Sequence, residues 1–150
     1  LDSRLAAAAM AIPGIKAVEI GLGAGYAGKF GSEVHDPIFF DRRKGYFRKS
    51  NNAGGIEGGI SNGEDIVLRL CMKPISTLMH PLPSVNIKTG KASAAAAERS
   101  DICAVESAGV VAESAAAFVL CDAMLEKFGS DCLSDISASY RLYLARMKKK

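Results

Sequence analysis

The chain has 150 residues, of which 49% are hydrophobic and 23% charged, and its formal net charge is +3. Its length and apolar content suit one folded domain and exclude a wholly disordered chain. The small net charge does not support nucleic acid binding, and the longest uninterrupted apolar run is much shorter than the roughly 20 residues of a membrane span.

The cysteines show neither a C-x-x-C spacing nor a Cys/His cluster. We therefore predict reduced thiols in a cytoplasmic protein without a metal site. No signal peptide is visible. Because the chain starts at Leu1 and directly in a helical pattern, we expect it to be a segment of a longer protein. A plastid targeting sequence would lie upstream of it.

The first half of the chain predicts one helix, one strand and a long segment without periodicity. Asp2 or Ser3 can cap a helix that runs to about Ala11, and Pro13-Gly14 ends it. Residues 15–20 (IKAVEI) predict a short strand, followed by a glycine-rich turn. Residues 26–50 are polar, aromatic and basic without a clean period, and we interpret them as a long loop.

The second half predicts strands and two helices. Residues 66–72 (IVLRLCM) alternate as a strand with one apolar face, residues 84–87 predict a second strand, and residues 92–99 suit helix or strand. Residues 109–128 predict a helix ended by Gly129. Because residues 115–121 are apolar all round, we expect this helix to be buried between two layers. A last helix over residues 135–147 has Ser134 as its predicted N-cap.

The segment Asn51 to Gly63 (NNAGGIEGGISNG) is rich in glycine. Glycine lacks a Cβ atom, so its backbone can approach a flat ring or a phosphate closely, and successive N–H groups can form an anion nest. The spacing Gly-Gly-x-x-Gly-Gly is neither the dinucleotide-binding nor the Walker pattern. The residues alone leave two interpretations open: a ligand-binding wall or a set of tight turns.

Two other groups can bring charge to a ligand. Lys73-Pro74-Ile75-Ser76-Thr77 follows the strand over residues 66–72 and suits an anion, although an ordinary strand exit with a solvated lysine is the alternative. Arg99-Ser100-Asp101 precedes the long helix. Arg99 can hold a carboxylate or phosphate and Asp101 can act as acid or base, but an ion pair with a helix-capping aspartate is also open.

Other polar features have simpler interpretations. Asp41 to Lys49 (DRRKGYFRK) is basic and interleaved with aromatics, which permits contact with a polyanion. We favour a solvated loop and expect no nucleic acid partner. His35 and His80 are isolated from each other and from any nucleophile pattern.

In chain order these pieces resemble the chorismate synthase family, from Leu1 to about Phe128. The sequence runs through Ile-Pro-x-x-Lys-x-Val-Glu-Ile-Gly, Gly31-Ser32-Glu33 with Asp36, NNAGGIEGGISNG, Lys-Pro-x-x-Thr, and Arg-Ser-Asp with Val110-Val111-Ala112-Glu113. The resemblance implies an α+β fold, part of a β-α-β sandwich with helices packed between sheets. It also implies that residues 1–150 are the C-terminal part of the domain, and that the enzyme is a homotetramer.

The activity that the resemblance implies is a lyase reaction, the last step of the shikimate pathway of aromatic amino acid biosynthesis. It is the 1,4-anti elimination of phosphate from 5-enolpyruvylshikimate 3-phosphate to give chorismate. The family requires reduced FMN without net redox change, and NADPH enters only indirectly, as a source of flavin reduction. The resemblance implies that the flavin lends an electron as phosphate leaves, and that its N5 region takes up the proton or hydrogen.

The same resemblance implies the site residues. Arg99 lies between flavin and substrate, and Asp101 is the catalytic residue that assists proton transfer at the flavin N5. The cofactor-binding positions are Pro13, Gly14, Gly58, Lys73, Pro74, Ile75, Ser76, Thr77 and Arg99.

The chain also departs from the family pattern. Ile102 stands where the family often has Pro, and Glu106 where Pro or a small residue is common. The family's Gly-Glu-Ser-His-Gly segment, second catalytic histidine and Ser-Ala-Arg segment are not in this chain, and His35 and His80 do not match them. We therefore expect residues 1–150 to be inactive alone. The alternative function is a non-catalytic FMN-binding or subunit-interaction part of the enzyme.

Overall fold

The structure, a computed structural model, describes residues 1–43, 45–99, 103–129 and 131–148. Within these ranges it contains helices and small antiparallel sheets. The elements are α1 (Asp2–Met10), β1 (Ile15–Ile20), a 3-10 helix (Gly23–Gly28), α2 (Gly31–Val34), β2 (Ile38–Asp41), β3 (Gly45–Arg48), β4 (Ile56–Glu57), β5 (Ile60–Ser61), β6 (Leu68–Met72), β7 (Pro83–Val85), β8 (Ala92–Ala94), α3 (Val105–Phe128) and α4 (Leu133–Lys148).

The central pair of strands joins β1 to β6 in antiparallel register, with Val18 opposite Leu70. The predicted alternation of β6 is confirmed, because Leu68, Leu70 and Met72 are half-buried and the two residues between them are exposed. The strand begins two residues later than predicted, at Leu68. A cross-strand ion pair of 2.9 Å joins Arg69 Nη1 to Glu19 Oε2 on the solvent side.

Helix α1 packs on β1 and provides much of the small core. The helix forms as predicted, but its N-cap is Leu1, and neither Asp2 nor Ser3 provides a capping side chain. Among the described residues, the buried apolar side chains are Leu5, Ala9, Ile12, Ile15, Ile56 and Ile136.

The prediction of a long loop over residues 26–50 is wrong. The structure forms the short helix α2 and the hairpin β2–β3, in which Phe39 lies opposite Phe47 and Phe40 opposite Tyr46. The ring centroids of these pairs are 5.8 and 5.1 Å apart. Cross-strand aromatic pairs stabilise a hairpin, and adjacent aromatics hide the polar–apolar alternation that would have predicted the strands.

Strands β7 and β8 form a second hairpin, whose residues are all exposed. The ambiguous residues 92–99 therefore contribute a strand at their start. Two backbone bonds continue the pairing beyond the strands: Ala95 N–H donates to the Leu82 carbonyl at 3.0 Å, and Glu98 N–H to the Leu78 carbonyl at 3.4 Å.

Helix α3 starts at Val105, four residues earlier than predicted, and ends at Gly129 as expected. The prediction that it is buried between two layers is wrong for this chain, because none of its residues is buried and Phe118 is 82% exposed. Helices α1 and α4 contact α3. The remaining faces have no cover from the described part of the chain.

Ion pairs and aromatic ring contacts join α3 to its two neighbouring helices. Arg4 on α1 pairs with Asp122 and with Glu126, the latter at 2.7 Å. The Phe128 ring meets Tyr140 and Tyr143 of α4 edge-on. Helix α4 begins at Leu133, so Ser134 lies in its first turn and is not the N-cap that was predicted.

By length and composition alone, α3 also meets the requirement for crossing a membrane, with a mean hydropathy of 1.7 over an 18-residue window. A core helix of a soluble protein meets the same requirement, so one such helix is weak evidence for a membrane.

Candidate functional site

The first half of the glycine-rich segment is locked against the end of the β1–β6 sheet. The Asn51 side chain donates to the Asp65 carbonyl at 2.8 Å and accepts the Gly55 N–H at 2.7 Å. Gly54 and Gly21 meet backbone to backbone. A Cβ on Gly21 would lie 2.0 Å from the Asn52 carbonyl oxygen, and a Cβ on Gly54 would lie 2.4 Å from the Gly21 nitrogen. Here glycine is required for packing.

The second half of the segment is open. Gly58 and Gly59 join β4 to β5 with φ of +60° and +80°, and two consecutive positive φ angles are what a type I′ hairpin turn requires. A Cβ on Gly58, Gly59 or Gly63 would meet nothing within 4 Å. The tight-turn interpretation explains the backbone here, while the open space on these glycines leaves room for a flat ligand.

One buried carboxylate holds the start of this segment. Asp36 is 7% exposed. Its Oδ1 accepts the Asn52 N–H at 2.9 Å and its Oδ2 accepts the Ala53 N–H at 2.8 Å. Burial raises the pKa of the Asp36 carboxyl, but hydrogen bonds from the Ser50 hydroxyl and these two amides, with the charge of Arg48, hold it below its usual range. Asp36 therefore stays ionised at neutral pH.

A second group of predicted residues meets at the other end of β1. The Lys73 N–H donates to the Gly14 carbonyl at 2.7 Å. Gly14 has φ +87°, and a Cβ there would lie 3.1 Å from Met72 Cε. The sheet register thus brings Pro13, Gly14 and Lys73 together, although about sixty residues separate the two segments in sequence.

The β7–β8 hairpin returns Arg99 to the segment that precedes β7. The pairing continues beyond β7 and β8 along two arms of backbone, residues 78–82 and 95–98, and Glu98 pairs with Leu78 at their base. The next residues along the two arms are Thr77 and Arg99. Lys73 and Arg99 are exposed, and Ile75 and Thr77 are half-buried. We group Pro13, Gly14, Lys73 to Thr77, and Arg99 as the arm-base site, because residues 73–77 connect the end of β6, next to Gly14, to the residues that pair with the segment before Arg99. The predicted catalytic Asp101 lies outside the described residues.

Gly58 does not lie in the arm-base site. The Leu1 nitrogen lies 2.6 Å from the Gly59 carbonyl oxygen, which places this turn at the start of α1, whereas Gly14 follows its end. At about 1.5 Å per residue, α1 separates them by roughly 14 Å. One ligand that touches both places must therefore be elongated.

The described residues fit an elongated anion with a flat ring. Lys73 and Arg99 provide cations for a phosphate, and the open glycine turns provide a surface without side chains. The four cysteines are free and exposed. In the described ranges, no cluster of three or more His, Cys, Asp or Glu residues suits a metal ion.

Residue-by-residue interpretation of the sequence assigned no role to Asp36 or to Tyr26. The Tyr26 hydroxyl donates to the Asn52 carbonyl at 2.7 Å, and Asp36 accepts the N–H of the same residue. Burial first, and then the charges of Asp36 and Glu57, raise the pKa of Tyr26. Both residues lie in the region interpreted as a loop, so no periodicity indicated that either faces inward.

Comparison with known proteins identifies the family. The sequence model of chorismate synthase matches residues 1–125. Chorismate synthase of Geobacter sulfurreducens is 55% identical over 151 residues, a match that covers 96% of this chain and 38% of that protein. Chorismate synthase of Thermoanaerobacter pseudethanolicus is 51% identical over 148 residues, covering 99% and 42%.

The fold of this chain matches that of a solved structure from the same family. A crystal structure of chorismate synthase superposes with a TM-score of 0.77 at 43% identity, and the match covers 99% of this chain and 37% of that one. The α+β fold class is thereby confirmed. The chain spans about two fifths of the length of the curated relatives that it matches, and it belongs to the chorismate synthase family.

Proposed function

We propose that the protein functions as a chorismate synthase and eliminates phosphate from 5-enolpyruvylshikimate 3-phosphate to give chorismate. The observation that carries the proposal is the arm-base site. Within a chain of this family, the Lys73 N–H bonds to the Gly14 carbonyl at the end of β1, and the pairing of Glu98 with Leu78 returns Arg99 to the Thr77 end of the Lys-Pro-x-x-Thr segment.

The arm-base site suits a reaction in which phosphate leaves. Arg99 and Lys73 are placed to stabilise the charge that develops on the departing phosphate, and fixed cations are most effective where charge appears. The N–H and hydroxyl groups of Ser76 and Thr77 can orient an anion next to them. Asp101 follows Arg99 by two residues, and we propose it as the group that moves a proton.

Reduced FMN, when bound, supplies the electron-rich ring that the elimination needs, and NADPH serves only to reduce it. We propose that the chain holds the cofactor at two places. Lys73 to Thr77 and Pro13-Gly14 contact one part, and the open turn at Gly58 lies along another. The ribityl chain of FMN separates its ring from its phosphate, so one molecule suits two contact regions of this kind.

The domain boundaries, the oligomeric state, the localisation and the partner are also proposals. We propose that residues 1–150 form the C-terminal part of the enzyme domain, that the enzyme is a cytoplasmic homotetramer, and that its partner is the small phosphorylated substrate.

The test is an anaerobic assay of the full-length gene product with reduced FMN and 5-enolpyruvylshikimate 3-phosphate, in which chorismate and released phosphate are measured. We expect Arg99→Ala to lower kcat/KM by about 100-fold or more. Lys88→Ala, at the exposed tip of the β7–β8 hairpin, is the matched control and should retain activity. Equal activity of the two variants would exclude the role of Arg99, and absence of turnover by the wild type would refute the proposed function.

The alternative is a protein that binds FMN without chemistry. FMN titration followed by flavin fluorescence, with and without the phosphorylated substrate, separates the two. Binding without turnover by the full-length protein would favour the alternative.

A further inference from the structure

Asp36 is the only buried charged residue among those that the structure describes. Burying a carboxylate is unfavourable unless its oxygens are hydrogen-bonded. The two oxygens of Asp36 accept N–H groups from two consecutive residues, Asn52 and Ala53, and the Ser50 hydroxyl bonds to the same carboxylate. The carboxylate is thus committed to the backbone that opens the glycine-rich segment.

The main chain of Asn52 is held at its carbonyl as well. Its carbonyl accepts the Tyr26 hydroxyl at 2.7 Å and the Leu22 N–H at 2.9 Å. The Asp36 carboxylate holds the N–H groups of residues 52 and 53, and residues after β1 hold the Asn52 carbonyl. This stretch of backbone therefore has little freedom to move.

A second connection runs from the main chain of Asp36 to the open turn. Arg48 donates to the Asp36 carbonyl, and its other nitrogen pairs with Glu57 Oε2 at 2.6 Å. The same Glu57 oxygen accepts the Asn62 side-chain amide at 3.0 Å. Glu57 and Asn62 flank the turn that contains Gly58, so Asp36 is linked to both ends of the segment.

We propose that Asp36 is a positioning residue that sets the geometry in which the Gly58 turn meets the flavin. The inference rests on the proposed function. The Asp36 carboxylate does not touch the cofactor: it acts through the backbone of residues 52 and 53. Loss of its carboxylate should therefore disturb the cofactor at the Gly58 turn more than the phosphorylated substrate, whose leaving phosphate we assign to Arg99 and Lys73.

The test compares Asp36→Asn with Asp65→Asn in the full-length protein. Asn has nearly the same shape as Asp, but its amide places a donor against one of the two backbone N–H groups. Asp65 has an exposed side chain next to the same segment, so its variant controls for the loss of one negative charge. Ser50→Ala, which removes a single hydrogen bond to the carboxylate, is a milder second variant in case Asp36→Asn does not fold.

The measurements are the FMN dissociation constant, kcat and the substrate KM, all taken at a temperature where each variant is folded by circular dichroism. We expect Asp36→Asn to weaken FMN binding and to lower kcat by between about 10- and 100-fold, with an unchanged substrate KM. Ser50→Ala should shift the same quantities in the same direction by a smaller factor. Asp65→Asn should match the wild type.

Two outcomes would overturn the inference. The first is a folded Asp36→Asn protein with wild-type FMN affinity and kcat. The second applies if Asp36→Asn does not fold, and is a Ser50→Ala protein with wild-type FMN affinity and kcat. If the wild type itself neither binds FMN nor forms chorismate, the proposed function fails. Amide hydrogen exchange then decides whether Asp36 holds the segment, because the inference requires faster exchange over residues 51–63 in Asp36→Asn.

Discussion

At Gly21 and Gly54 two stretches of backbone come so close that neither position has room for a Cβ atom. At Gly58 the backbone has a similar positive φ, yet the space beside it is open. The sequence shows the same residue type at all three positions, but glycine is required for packing at the first two and for the turn at the third.

Replacing these glycines should therefore give different results. Gly54→Ala should destabilise the protein by about 3 kcal/mol or more, because its Cβ meets backbone that cannot give way. Gly58→Ala should cost only about 1–2 kcal/mol for the left-handed conformation but should weaken FMN binding. Urea denaturation and flavin fluorescence measure the two effects.

The matched control for these variants is Gly109→Ala in α3, where a Cβ meets nothing within 4 Å and φ is not positive. It should stabilise the protein by about 0.5–1 kcal/mol. Unchanged FMN affinity in Gly58→Ala would argue against a flavin contact at this turn.

The lowered pKa of Asp36 predicts how stability depends on pH. A carboxyl whose folded pKa lies below its ordinary value of 3.8 adds stability above that value and loses it as pH falls through the folded pKa. The wild type should therefore exceed Asp36→Asn in unfolding free energy near neutral pH, and the difference should shrink below about pH 4. Urea denaturation across pH 3–7 measures it, and a constant difference would contradict the assignment.

Among the elements, α3 shows most clearly how burial differs from composition. Its residues 115–121 are apolar on all sides, but α1 and α4 contact the helix and leave Val110, Val111 and Phe118 exposed. Since the chain covers 37% of the solved chorismate synthase chain that it resembles, we expect other parts of the family fold to cover these faces.

This expectation predicts a context-dependent effect of Phe118→Ala. In residues 1–150 alone, the unfolding free energy should change by less than about 0.5 kcal/mol, as for other surface positions. In the full-length protein, the same change should cost about 3–5 kcal/mol, because a covered phenylalanine leaves a cavity. Urea denaturation of both proteins provides the comparison, and equal effects in the two would show that α3 stays exposed.

For the whole molecule, the accessible surface is 11662 Å². A compact monomer of 15.8 kDa is expected to expose about 7,300 Å². The excess agrees with the small core and with the exposed β7–β8 hairpin, and large apolar side chains are part of the exposed surface.

We therefore predict that residues 1–150 expressed alone form no chorismate and bind the dye ANS, because exposed apolar surface gives this dye-binding signature. The full-length protein under the same conditions is the control. Turnover by residues 1–150 with reduced FMN would contradict this prediction.

The sequence alone determined the features that depend on neighbouring residues. Periodicity predicted α1, β1, the alternation of β6 and the C-terminal end of α3, because backbone geometry imposes these patterns locally. The order of the motifs indicated the family, and the comparisons confirmed it. Periodicity failed for β2 and β3, where adjacent aromatics masked the alternation.

Only the tertiary structure decided which distant residues meet. A hydrogen bond at the end of the β1–β6 sheet brings Gly14 to Lys73, and bonds along the β7–β8 hairpin return Arg99 to the segment that precedes β7. The Asp36 carboxylate binds backbone 16 and 17 residues away. These contacts depend on how the elements pack, and no local pattern encodes them. The same physical reason explains why composition predicted a buried α3 and the packing of this chain left it exposed.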